Sequence, residues 1–248
     1  MSFDVLAPHY GWMELALAGE KLQRCRTAFL DEVPSARNIL LAGEGHGRCL
    51  VECCRRFNNA RILCVDASGG MLARARGRLA AAGGAAARVE FICADILHWP
   101  APARAFDLIA TNFFLDCFRP EQLGQLIARL ARAAAPGANW LVADFQISPA
   151  GLKRARSRLI VATMYVFFRA VTRLPARRLT APDPWLQRAG FVLHRRREAE
   201  WGLLRSDWWR RPAGWDGTSG GSDRLKECKD AGSGPVRPEK ERYGKRNR

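Results

Sequence analysis

Gly43, Gly45 and Gly47 interrupt the run NILLAGEGHGRCL on alternate positions, with Glu44 between the first two. Backbone without side chains lets amide groups approach a ligand, and a helix starting there adds the partial positive charge of its N-terminus. Asp66 closes the next apolar run, RILCVD, nineteen positions past Gly47. An acid at such a strand end accepts hydrogen bonds from both hydroxyls of a ribose. Asp95 follows the run VEFIC, where a carboxylate can meet the exocyclic amine of an adenine ring, and Asn112 ends FDLIATN. These residue types together point to the capture of an adenosine-containing ligand. The glycine spacing is G-x-G-x-G, and Arg48 stands where the dinucleotide fingerprint places its third glycine. Without G-K-[ST] the loop is no P-loop.

For these residues to converge, they must end successive parallel strands. The apolar runs 38–42, 61–66, 89–93, 106–112 and 139–144 read as buried strands. Between them lie helical stretches at 46–57, at 69–81 with Ser68 as cap, and from Pro120 to about Ala134, ended by Pro136-Gly137. This alternation predicts an α/β, Rossmann-like, doubly wound, mostly parallel sheet with helices on both faces. After Phe145 the pattern changes to a long basic and apolar helix over 150–174. A short helix, a turn at Gly190 and two strands follow, the strands expected to pair as an antiparallel edge hairpin. The expected organisation is an N-terminal helical cap (1–35), a main domain (36–213) with a helical insertion at 150–180 on the substrate side, and a basic tail (214–248). The tail has too few apolar residues to offset its ordering entropy and reads as disordered.

The chain has 248 residues and a net charge of +16. That balance suits nucleic acid, anionic membranes or acidic substrates, but the plainer reading is an arginine-rich background, since Arg outnumbers Lys and is spread along the chain. The eight cysteines sit mostly inside apolar runs, the pattern of free buried thiols in a reducing compartment. Cys49 and Cys53 lie one helical turn apart, but no second ligand pair follows at metal-site spacing, so no metal is expected. The start MSFDVLAPHYGWMEL has no basic region followed by an apolar stretch, and LIVATMYVFF falls short of the ~20 residues of a spanning helix. A cytoplasmic location without a transmembrane segment is the expectation.

The stretches LLAGEGHG, RILCVDASGGMLARAR, VEFICADI, FDLIATNFFLDCF and LARAAAPGANWLVADF together resemble the class I S-adenosylmethionine-dependent methyltransferases, over about residues 36–145. VDAS-x-x-ML and the late Pro-Gly are similar to the small-molecule, quinone-biosynthesis-like branch, as are the flanks APHYGWMELALAG and MYVFFRAVTRLPARRL. The resemblance implies S-adenosyl-L-methionine as cofactor. By it, Gly43, Gly45 and Gly47 line the methionine part, Asp66 holds the ribose beside Ala67 and Met71, Asp95 and Ile96 flank the adenine, and Asn112 lies near the sulfonium. The family usually carries an acid two residues before the first glycine; here that residue is Leu41. Glu44 either supplies the missing charge to the ammonium or points to solvent.

Methyl transfer from a sulfonium is an in-line displacement that needs a base only when the acceptor must lose a proton. His9 and Tyr10 in the cap and Asp116 in NFFLDCF are the candidates, each with a plain alternative as a cap, surface or loop residue. His98 can pack beside Trp99, and His46 and Arg48 can meet the cofactor carboxylate. Asn112-Phe113-Phe114-Leu115 lacks the prolines common where exocyclic base nitrogens are methylated, so nucleic acid is not the expected acceptor. Phe113, Phe114, Met164, Tyr165, Phe167 and Phe168 suit either an apolar acceptor pocket or ordinary core. Arg154, Arg156, Arg158, Arg169 and Arg173 suit an amphiphilic or anionic acceptor, or peripheral contact with a membrane surface. The expected reaction is methyl transfer to a small or lipid-like acceptor. The competing readings are an inactive S-adenosylmethionine or S-adenosylhomocysteine binder, an RNA methyltransferase or RNA-binding protein, and an NAD-dependent oxidoreductase.

Overall fold

The computed structural model describes residues 20–83, 86–172, 176 and 178–215. His9, Tyr10, most of the expected cap and the tail from 216 lie outside the described residues. Strands β1 (Asn38–Ala42), β2 (Arg61–Asp66), β3 (Val89–Cys93), β4 (Phe106–Asn112), β5 (Ala134–Phe145), β6 (Val192–Ala199) and β7 (Leu204–Arg210) form one sheet in the order β3-β2-β1-β4-β5-β7-β6. The first five are parallel; β7 runs antiparallel to β5 and to β6, which makes the expected edge hairpin. The helices are α1 (Glu20–Thr27), α2 (Arg48–Arg56), α3 (Gly69–Ala81), α4 (Pro120–Ala133), α5 (Gly151–Thr172) and α6 (Asp183–Arg188).

Alternation along β1 divides the core. Ile39 and Leu41 turn into one apolar cluster with Cys49, Leu50 and Cys53 of α2 and Leu72 and Ala75 of α3. Leu40 and Ala42 turn into the other, with Leu123, Leu126, Ile127 and Leu130 of α4. Ile39, Leu40 and Leu41 are wholly buried, as a central parallel strand covered on both faces requires. Trp140 of β5 is also sealed in, and its Nε1 donates to Thr111 Oγ1 at 3.0 Å, so its polar group keeps a partner.

Some boundaries differ from the sequence expectation. Pro136-Gly137 does not separate helix from strand, because β5 already begins at Ala134. The pair sits inside the strand, where the register with β4 shifts between Phe106 and Leu108 and Gly137 has φ +74°. A bulge tolerates both a missing amide and a left-handed residue. The helical cap expected over 1–35 gives way, after α1, to turns from Ala28 onward that bury Phe29 and Leu30. The hairpin is tied down by ion pairs. Arg196 bridges Asp207 at 2.6 Å and Asp183 at 2.6 Å, and Arg205 reaches Asp183 at 2.8 Å.

Candidate cofactor site at the carboxyl ends of the strands

Backbone bonds join the carboxyl ends of β1 and β2, of β2 and β3, and of β4 and β5. The Gly43 amide donates to the Val65 carbonyl at 2.9 Å, Ala94 to Asp66 at 3.0 Å, and Phe113 to Ala143 at 2.7 Å. Asp66 stands at the centre. Its Oδ2 accepts the Gly45 amide at 3.0 Å and its Oδ1 accepts the Ser68 amide at 2.9 Å. Ala67 is exposed beside it, and Met71 is buried in the first turn of α3, its amide capped by Ser68 Oγ at 3.1 Å. The residues expected to hold the ribose and the glycine loop are thus joined directly.

The three glycines do three different things. Gly43 has φ +66°, and a Cβ there would lie 2.0 Å from Cδ2 of Phe114, whose ring covers the bend. Gly45 opens on free space, with nothing within 4 Å of such a Cβ. Gly47, at φ +86°, packs against α3: a Cβ would meet Ala75 Cα at 2.7 Å. Its left-handed conformation also ends the loop, which is why α2 begins at Arg48 and not at His46.

Glu44 has a role that was not foreseen. Its Oε1 accepts the amides of Cys49 at 2.8 Å and Leu50 at 3.0 Å, two of the unpaired donors at the start of α2. It thus serves as a helix cap from within the glycine loop. Burial pushes its pKa up to about 7, against the lowering influence of the Leu50 amide, Arg26 and the Cys49 amide. Leu41 is sealed in the core and offers nothing to a ligand.

Asn112 ends β4 only 8 % exposed, and its Oδ1 accepts no hydrogen bond from the described residues. A buried acceptor without a donor fits the ammonium or another N–H group of a ligand. Asp95 is exposed and fixes its own turn, its Oδ1 accepting the Leu97 amide at 3.0 Å and its Oδ2 lying 3.1 Å from His98 Nδ1. Ile96 is buried in the core below it.

Asp116 lies in a short turn after β4 and is 7 % exposed. Burial pushes its pKa up to about 6, although a bond from Cys117 Sγ to Oδ1 at 3.5 Å opposes the shift. Tyr165 of α5 donates its hydroxyl to the Asp116 carbonyl at 2.7 Å. Asp144, at the end of β5, was not singled out from sequence. It is 2 % exposed, accepts the Phe145 amide at 2.9 Å, and burial and the nearby Asp116 charge raise its pKa. Its signal was present in NWLVAD, one more acid at a strand's carboxyl end. Arg26 of α1, buried with its guanidinium 5.0 Å from the Phe113 ring, had no signal.

The aromatic and apolar residues that suited either an acceptor pocket or ordinary core have different surroundings. Phe113 pairs with Phe145 near Leu22, Phe114 turns over Gly43 and onto Phe118, and Tyr165, Met164 and Phe168 face the core from α5. Phe167 is exposed. They join different elements, which sequence spacing alone does not separate.

A mostly parallel sheet with a glycine bend after β1 and a carboxylate at the end of β2 is an α/β architecture of the methyltransferase type. Residues 39–137 match the family model described as a methyltransferase domain, and over that segment the chain is similar to the class I S-adenosylmethionine-dependent methyltransferases. The trans-aconitate 2-methyltransferase of Paracidovorax citrulli is 38 % identical over 120 residues, 46 % of this chain and 43 % of that protein. The chain thus matches less than half the length of that relative. Among solved structures, an O-methyltransferase family protein from Burkholderia thailandensis superposes with TM-score 0.66 at 20 % identity, over 86 % of this chain and 64 % of that one. The S-adenosylmethionine-dependent methyltransferase SibL gives TM-score 0.60 at 27 % identity, over 84 % of this chain and 61 % of that one. S-adenosyl-L-methionine is the cofactor of this class.

Proposed function

We propose that this chain binds S-adenosyl-L-methionine and transfers its methyl group to a small, amphiphilic or lipid-like acceptor. The observation that carries the reading is the Asp66–Gly45 bond: the acid placed for the ribose and the bend placed for the amino-acid end form one unit. When bound, the cofactor supplies an activated methyl group. The chain's task is then to align the reactants and exclude water, which can supply up to ~7–11 kcal/mol of the barrier. Asp66 would hold the ribose, Asn112 would accept from the ammonium, and the open face of Gly45 would admit the methionine chain. Asp116 is the candidate base among the described residues, since a carboxyl with pKa about 6 still holds its charge at neutral pH and can take a proton. The apolar surroundings of α5 favour an acceptor with a hydrophobic body. The relatives' acceptor, trans-aconitate, is not carried over, because the match spans less than half of either chain. The seven free thiols of the described residues agree with a reducing compartment, and we place the protein in the cytoplasm.

Calorimetry with S-adenosylmethionine and S-adenosylhomocysteine tests the pocket. Asp66→Ala should weaken binding by roughly 1–3 kcal/mol, because two hydroxyls lose a charged partner and the glycine bend loses its anchor. Unchanged affinity removes Asp66 from the ribose site. A second reading, a cofactor-binding partner protein without turnover, is favoured by the Phe114 ring over Gly43 and by the buried Leu41. Tight binding with no methyl transfer to any small or lipid-like acceptor would select it.

A further inference from the structure

Helix α5 buries one face and exposes the opposite one. Ser157, Val161 and Tyr165 are buried, with Ile160, Met164 and Phe168 half-buried beside them. At about 3.6 residues per turn, the far side carries Leu152, Leu159 and Val166 in a row. These are 90 %, 69 % and 70 % exposed, and the exposed Ala155, Ala162 and Ala170 lie along the same side. Lys153, Arg154, Arg156, Arg158 and Arg169 are also exposed, and the helix contains no Asp or Glu. Next to the row stands Trp201, 71 % exposed, with the Arg156 guanidinium 5.7 Å from its ring. Arg156 Nη1 also donates to the Glu200 carbonyl at 3.2 Å, and the Glu200 carboxylate is paired with Lys21 at 2.6 Å.

Apolar residues on the outward face, bases beside them and a tryptophan at the edge are the composition of a helix that lies flat in a lipid interface. Among the described residues no helix is long and apolar enough to cross a membrane, so the contact would be superficial. Charge separates the possible occupants. A second copy of this chain would bring the same five bases against these five, on a molecule of net charge +16. A nucleic acid would meet the bases but leave Leu152, Leu159 and Val166 without a partner. A bilayer containing anionic lipid satisfies both groups. We propose that the outward face of α5, with Trp201 at headgroup depth, docks this protein on an anionic lipid surface. The inference does not rest on the methyl-transfer reading.

The full chain is tested by flotation with vesicles of phosphatidylcholine alone and with vesicles containing a minority of phosphatidylglycerol. Binding is expected to the anionic vesicles, to weaken with salt, and to be slight on phosphatidylcholine alone. Leu159→Glu with Val166→Glu should lower partitioning about tenfold or more, and Arg154→Gln or Arg158→Gln about fivefold each. Leu152→Gln, at the most exposed position of the row, is the milder second variant, and unchanged circular dichroism establishes that each variant is folded. Addition of anionic vesicles should shift tryptophan emission to the blue, and Trp201→Phe should remove that shift. Equal partitioning of the native chain and the double Glu variant overturns the proposal. So does a native dimer that the same variant dissociates, or tighter binding to RNA than to anionic vesicles.

Discussion

Glu44→Gln separates two uses of one carboxylate. Burial raises the Glu44 pKa from its ordinary 4.5 to about 7, and the Leu50 amide, Arg26 and the Cys49 amide only partly offset the loss of water. The folded chain therefore binds this proton more tightly than the unfolded chain does. The resulting stabilisation is complete below pH 4.5 and is lost as the pH rises through about 7. The gap corresponds to about 3 kcal/mol. Glutamine keeps an oxygen for the Cys49 and Leu50 amides but cannot ionise. Urea unfolding from acid to mildly alkaline pH should show the variant's advantage over the native chain growing from near zero to about 2–3 kcal/mol. A difference that is flat with pH, or a variant less stable than the native chain above neutrality, refutes the reasoning. The same variant titrated with S-adenosylmethionine should keep its affinity within about twofold if the carboxylate only caps α2. A loss of about tenfold or more would assign it to the cofactor ammonium.

Asp116→Asn should behave in parallel at a lower pH. The native carboxyl, moved by burial from 3.8 to about 6, destabilises the fold as pH rises across that interval. Thermal unfolding should then show the variant gaining stability at neutral pH and little in acid. Gly47→Ala should cost about 2–4 kcal/mol in urea unfolding, because the new methyl meets Ala75 Cα at 2.7 Å and the backbone holds φ +86°. A neutral Gly47→Ala would show that α2 and α3 are not packed against each other through this bend.

The sequence by itself determined the sheet and most of what lies at its ends. Short apolar runs alternating with helical stretches leave few topologies for a chain of this length, since parallel strands need helical crossovers. The edge hairpin followed from the change of pattern after Phe145. Asp66, Asp95 and Asn112 were legible because a polar residue ending an apolar strand has one place to go, the rim of the sheet. What each of them touches depended on through-space neighbours that no spacing encodes. Glu44 became a helix cap because α2 starts at Arg48 and leaves the amides of Cys49 and Leu50 within reach. Gly47 serves helix packing because α3, from another βα unit, passes against it. Asp144 entered the site because β5 lies next to β4 and burial brought its carboxyl near Asp116. Local pattern fixes which elements form, since it acts through the backbone and the nearest neighbours. The partners of a buried charge are fixed by which elements pack together, and that is decided only when the whole sheet is assembled.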